Sequence, residues 1–458
     1  MVGEREETTV GELVKRGILE RPLDGNHGSI HPRGADFVAS GVPFIMASDL
    51  VDGGIDTVNC SFITIEQAKS LRKGFAKRGD VLISHKATLG RTAIVGEIPG
   101  DFVMLTPQVT YYRAKDPARL SNRYLKYYFD SELFQRVLQS WAGAGSTRAY
   151  IGITDQLRLP VVLPPLAKQE AIAHILGTLD DKIELNRRMN VTLEAMARAL
   201  FKSWFVDFDP VRAKQALRKT EGAEGRPSTS SGQAFPGLPK SIADLFPDSF
   251  EDSELGEIPM GWEVKGIDEI ANFLNGLALQ KYPRGDGPTL PVIKIAQLRK
   301  GDTEGADRCN TNVPPEYVIN DGDVLFSWSG SLQCVLWAGD RGALNQHLFK
   351  VTSTLFPKWF YYLWVHKHLT SFRHTAASKA TTMGHIQRHH LSDAKIVVPE
   401  SDVLNATDKM IAPIIEQVMQ RRFESRSLAA LRDTLLPKLI SGDLRLRDTE
   451  QRMKEEAA

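Results

Sequence analysis

The 458 residues are 42% apolar and 25% charged, ordinary for a soluble globular protein with length for about three domains. The three cysteines, Cys60, Cys309 and Cys334, are far apart and in no metal-ligand spacing, which argues against a disulfide scaffold or a zinc site and for a reducing compartment, the cytoplasm. No run reaches the roughly 18 apolar residues of a membrane span, the opening "MVGEREETTVGELV" is too acidic for an export signal, and the net charge of +1 decides nothing about nucleic acid.

Along the chain, a strand-rich stretch comes first, and it contains "GDVLIS" from Gly79. Nearly the same hexapeptide, "GDVLFS", begins at Gly322, 243 positions later. Glycine and aspartate before an apolar run are a generic turn-into-strand signal, so the neighbours decide. Further on the offset settles at 235, as if one loop were eight residues longer in one copy. At that spacing Tyr124 meets Trp359, Thr147 meets Thr382 and Ile151 meets Ile386, and "PVVLP" meets "KIVVP". Upstream, "GVPFIMASDL" from Gly41 and "LPVIKIAQL" from Leu290 each send a proline into an apolar strand. A strand-rich unit followed by a long helix therefore occurs twice.

The first long helix is predicted after Pro165. Steps of four and three residues pass through Ile172, Leu176, Leu179, Ile183, Asn186, Asn190, Leu193 and Leu200, a heptad seam with a polar waist. The second copy offers Ile411, Ile415, Val418, Leu428, Leu431 and Leu435. Two matching stripes in one chain can bury their seams against each other, and antiparallel pairing would carry the strand-rich halves to opposite ends. Between the copies, "TEGAEGRPSTSSGQAFPGLPK" reads as linker. Charge is segregated as well: Arg341 to Ser392 contains no acid but seven of the eleven histidines, which makes it a candidate polyanion surface.

No phosphate-binding loop, H-E-x-x-H, zinc-spaced cysteine pair, nucleophile elbow or methyltransferase tetrapeptide occurs, so no catalytic or metal-ligating residue is assigned. A coiled-coil interaction scaffold and a single-chain DNA methyltransferase or nuclease without recognisable motifs are the alternatives. Binding is the reading the residues favour.

"LPPLAKQEAIAHILGTLDDKIELNRRMNVTLEAMARALFKSWFVDFDPV" from Leu163 and "LAALRDTLLPKLISGDLRL" from Leu428 resemble the helical regions of the specificity (S) subunits of type I restriction-modification systems. "DGNHGSIHPRGADFVASGVPFIMASDL" and "SELGEIPMGWEV" resemble the openings of that family's recognition domains. The resemblance implies an α+β fold: two tandem target-recognition domains, mixed and strand-rich, separated by two long helices in an antiparallel coiled coil, with a pseudo-twofold internal repeat. The boundaries expected are 1–163 and 253–399 for the recognition domains, 164–212 and 400–447 for the helical regions, 213–252 for the linker and 448–458 for a tail. It further implies a non-catalytic subunit that reads a bipartite site in double-stranded DNA. Two methyltransferase (M) subunits and restriction/translocase (R) subunits are the implied partners, and S-adenosylmethionine, ATP and magnesium would be bound by them.

Base reading needs donors and acceptors on loops, with cations on phosphates. In copy one the expected readers are Ser84, His85, Lys86 and Arg91, the loop Ser146, Thr147 and Arg148, and Asn26 and His27. Lys69, Arg72, Lys73, Lys77 and Arg78 are expected on the DNA backbone. The equivalents in copy two are Ser327, Ser329, Ser331, Lys379, Thr381, Thr382, His385 and Arg388.

Overall fold

The computed structural model describes residues 6–142, 149–224, 238–378 and 384–444. They form two compact units, one of Met1–Ile183 with Ser427–Ala458 and one of Glu184–Arg426. Both cuts fall inside long helices, Leu166–Phe205 and Ser401–Ser441, because each helix half packs on the strand-rich domain beside it. The stretch 213–252, expected as linker, carries the end of a helix, Asp209–Glu224, a short helix Lys240–Ala243 and the start of a strand, Phe250–Ser253.

The repeated hexapeptide has a shared structural job. Gly79 and Gly322 sit at φ 87° and 85°, the left-handed region that favours glycine. Asp80 then accepts from the Lys77 amide at 2.7 Å, and Asp323 from the Asn320 amide at 2.8 Å, closing the same turn. All four residues of Val81–Ser84 and of Val324–Ser327 are buried. Each strand ends on a serine whose hydroxyl accepts a returning amide at 2.9 Å, from Arg91 in one copy and Gln333 in the other.

Around these strands the first unit builds two four-stranded sheets. One has the order Leu23–Asp24, Val109–Tyr112, Val81–Ser84, Thr92–Ile94, and the other Ser61–Ile63, Val42–Ile45, Val103–Leu105, Phe75–Ala76. The second unit repeats both. Asn272–Asn275, Leu348–Thr352, Val324–Ser327 and Cys334–Leu336 form one sheet, and Arg308–Asn310, Thr289–Ile293, Gly342–Leu344 and Val318–Ile319 the other. In each unit the second sheet mixes one parallel pair with antiparallel neighbours. Register fixes the correspondence: Asp24 with Asn275, Ile45 with Ile293, Val81 with Val324, Leu105 with Leu344 and Tyr112 with Val351. The length difference between the copies is thus spent in several small steps, not in one longer loop.

In the first unit the core joins Tyr124, Phe129 and Phe134 of the helical layer to Ile172, Leu176 and Leu179 and to Leu435 and Leu439. In the second, Trp204 and Phe205 of the first long helix pack with Trp262, Trp359, Phe360 and Ile411. Burying an aromatic of this size removes about 150–250 Å² from water, a gross gain of roughly 4–6 kcal/mol.

Ile172, Leu176, Leu179, Asn186, Asn190, Ile411, Ile415, Val418 and Leu435 are buried, and Ile183, Leu193, Leu200, Leu428 and Leu431 are half-buried. Within the second unit the helices pair antiparallel: Asn186 donates to Glu424 at 2.8 Å, while Arg422 donates to Glu194 at 2.7 Å. Within the first, Arg432 donates to Asp180 at 2.7 Å. None of the described helices is long and apolar enough to cross a membrane. The three cysteines are buried free thiols.

Candidate nucleic-acid interface

In the first unit the loop leaving the strand Val81–Ser84 meets a second chain segment. Lys86 bridges Tyr150, the Ala87 amide donates to the Ala149 carbonyl at 3.1 Å, and the Ile151 amide donates to the His85 carbonyl at 3.1 Å. Lys86 is exposed with its amine 6.0 Å from the Tyr150 ring, and exposed Arg91 donates to the Ala47 carbonyl at 3.3 Å.

Beneath this loop lies a buried polar hub. Asp24 is ion-paired to Lys73 and hydrogen-bonded to His27 at 2.6 Å, and its carboxylate lies 4.0 Å from His85 Nε2. Burial favours the neutral acid, but the bonds from Lys73 and His27 outweigh it and hold the carboxyl below its usual range. Burial pushes His85 down to about 4, against the pull of Asp24, so its imidazole is neutral near pH 7. Its Nδ1 pairs with the Thr110 hydroxyl at 2.8 Å, and Nε2 has no hydrogen-bond partner among the described residues.

Asn26 is also buried, donating to the Lys73 carbonyl at 2.6 Å and accepting from the Arg72 amide at 3.0 Å. It shapes the turn that presents Arg72 and Lys73. His27, Lys69, Arg72, Lys77 and Arg78 are exposed, and Lys73 is half-buried.

The second unit repeats the two-segment arrangement. Ser329 bridges His385, the Gly330 amide donates to the Gly384 carbonyl at 2.9 Å, and the Ile386 amide to the Trp328 carbonyl at 3.0 Å. Trp328 holds the place of His85 and Asn275 the place of Asp24, and here the pair is joined directly, Nε1 to Oδ1 at 2.9 Å. His385 and Arg388 are exposed, and Arg388 reaches the Phe273 carbonyl at 3.3 Å. Ser331 is exposed and accepts from Arg299 at 2.8 Å, while Arg373 donates to the Leu332 carbonyl at 3.0 Å. These two arginines flank a cleft of about 530 Å³.

Five expected readers therefore leave the surface. Asn26, Ser84, His85, Ser327 and Ser329 are each at most 3% exposed and hydrogen-bonded within the fold, where they shape the loops. Ser146, Thr147, Arg148, Lys379, Thr381 and Thr382 lie outside the described residues. Sequence reasoning missed Asp24, Tyr150, Trp328 and Arg299, and caught Arg373 only as part of the acid-free run from Arg341 to Ser392. Asp24 opens the quoted "DGNHG" motif and Tyr150 immediately precedes the matched Ile151, so both signals were adjacent to residues already singled out. No cluster of metal-ligating side chains occurs among the described residues.

Comparison with known proteins decides what the duplicated loop scaffold belongs to. Residues 35–195 and 259–431, well over half the chain, match the type I restriction modification DNA specificity domain. The chain belongs to the type I DNA specificity subunits. It is 24% identical over 444 residues to the type I restriction enzyme HindI specificity subunit of Haemophilus influenzae, covering 88% of this chain and 94% of that one. It is 24% identical over 395 residues to the MjaIX specificity subunit of Methanocaldococcus jannaschii, covering 84% and 82%. Among solved structures, the S subunit of M. genitalium aligns over 95% of this chain and 96% of that one, with a TM-score of 0.48 and 12% identity. The specificity subunit is the DNA-recognition component of its system, not a catalytic one.

Proposed function

We propose that this specificity subunit reads a bipartite double-stranded DNA site, one half per recognition domain. The observation that carries the reading is that both units present the same pair of converging segments at the same point of the fold, 85–87 with 149–151 and 328–330 with 384–386. Exposed cations edge each pair, Lys86 and Arg91 in one and Arg388 in the other. Lys69, Arg72, Lys73, Lys77 and Arg78 serve as phosphate positioners, and the loop residues together with Arg299 and Arg373 face the grooves.

The recognition domains are taken as 1–163 and 253–399, with helical regions 164–212 and 400–447. The helical regions offer docking faces to two M subunits and through them to R subunits. S-adenosylmethionine, ATP and magnesium then reside on those partners, and the complex works in the cytoplasm. The test is selection of duplexes from a random pool by the full chain together with its M subunit. Two short defined blocks around an undefined middle support the reading; one uninterrupted block refutes it.

A further inference from the structure

The two units share the backbone contacts around one matched position while differing in its side chain. Tyr150 lies opposite Lys86, and His385 lies opposite Ser329, in equivalent bridges. The residue after each bridge partner takes the left-handed conformation in both, Ala87 at φ 67° and Gly330 at φ 65°. Glycine accepts that geometry freely, whereas alanine holds it at a cost, and such strain persists where the surrounding structure imposes it, often at functional loops.

Each opposing ring rests on the ring at the strand end. The His85 and Tyr150 centroids are 5.7 Å apart, and those of Trp328 and His385 6.3 Å. The lower ring is pinned from below, His85 by Thr110 and Trp328 by Asn275. The upper ring faces out: Tyr150 is 47% exposed. Tyr150, seated on buried, hydrogen-bonded His85 and left half in water, is a contact surface that the core does not use, and His385 sits likewise on half-buried, hydrogen-bonded Trp328. Tyrosine and histidine both combine an apolar face with hydrogen-bonding atoms, which suits a base edge in a groove. Exposed Lys86 and Arg91 on the first loop, and Arg388 three residues beyond His385, favour a polyanion over a protein surface.

We propose that Tyr150 in the first domain and His385 in the second are specificity-determining residues, each ring meeting a base edge in its own half-site. The proposal rests on the reading that each domain recognises one half.

The experiment uses the full chain with its M subunit, as wild type and as Tyr150→Ala, Tyr150→Phe and His385→Ala, selecting duplexes from a random pool at several salt concentrations. Tyr150→Ala is expected to relax one position of one half by about 5- to 150-fold while the other half keeps its preference, and His385→Ala to do the reverse. Tyr150→Phe, which keeps the ring, separates a contact through the hydroxyl from one through the face, and reduced discrimination in either of these Tyr150 variants supports the assignment. The slope of affinity against salt is expected to stay fixed, since no phosphate contact is removed. A two-block wild-type consensus that both alanine variants retain overturns the assignment and leaves the half-site reading standing. Uniform loss across all sequences with a shallower salt slope, or loss of the M subunit with unchanged DNA preference, also overturns it. A single-block wild-type consensus removes the half-site reading itself, and the proposal with it.

Discussion

Asp180→Asn tests how the helices are locked onto the first unit. The Asp180 carboxylate accepts from Arg432 at 2.7 Å and from the Tyr127 hydroxyl at 2.6 Å, and lies 3.6 Å from the Lys126 amine. Burial favours its neutral form, but these three partners outweigh burial and hold the carboxyl below its usual range. Breaking a buried ion pair costs about 3–5 kcal/mol because the orphaned cation stays buried. Two features reduce that figure. The Asp180 side chain is 25% exposed, and each cation keeps a second carboxylate, Asp433 for Arg432 and Asp130 for Lys126. About 2–3 kcal/mol remains, equivalent to roughly 30- to 150-fold in the opening equilibrium of this unit. Hydrogen exchange of the amides around 122–130 and 172–183 reads it directly. Six of the seven tryptophans lie in the second unit, so fluorescence reports that unit separately and is expected to stay constant. Acceleration below about fivefold would show that water screens the network and that the Asp180 carboxylate does not lock the helices. Adding Arg432→Met should recover part of the loss, because the charge left without its partner is then gone.

His85 makes the first unit sensitive to acid. Its folded value of about 4 lies below the ordinary 6.5, so the unfolded chain binds the proton first, and stability is full above pH 6.5 and falls as pH drops toward 4. The fall should be about 2–2.5 kcal/mol in denaturant midpoints taken between pH 7 and 4.5, and a flat profile would refute it. His85→Gln should flatten that limb; the Asp24 carboxyl titrates below the window. Gly25→Ala should destabilise the first unit by at least about 1–3 kcal/mol, because a methyl there overlaps the Leu105 carbonyl; an unchanged urea midpoint would contradict the strand packing. Lys69→Ala and Lys77→Ala should each weaken binding to all duplexes alike and lower the log–log salt slope by about 0.9, and altered base preference at constant slope would contradict their role as positioners.

The duplication was legible because its strongest marks are backbone requirements. A left-handed glycine, a turn-closing aspartate and a buried strand leave a pattern that side-chain drift does not erase, and the matched Ile151 and Ile386 sit where equivalent amides donate to His85 and Trp328. The polar waist was equally plain, since Asn186 interrupts an apolar period. Site residues were harder. A serine at a strand end reads as an exposed donor, yet Ser84 and Ser327 spend their hydroxyls on the returning loop. By sequence the acid-free run from Arg341 counts as surface, but part of its charge is used internally: Lys350 pairs with Asp323 at 2.8 Å and Lys358 donates to the Gly322 carbonyl at 2.8 Å. Linear charge counts do not see those partners. The Asp24 hub was invisible for the same reason, because His85 reaches it from the end of Val81–Ser84, two strands away in the same sheet, and Lys73 from the turn before Phe75–Ala76 of the other sheet.

Mapping methylated bases genome-wide in cells that carry this specificity subunit with its M subunit tests the central claim most directly. Two short fixed sequences at a constant spacing around unconstrained positions are the expected result. Methylation at a continuous motif, or at sites unchanged when the subunit is deleted, would contradict the account.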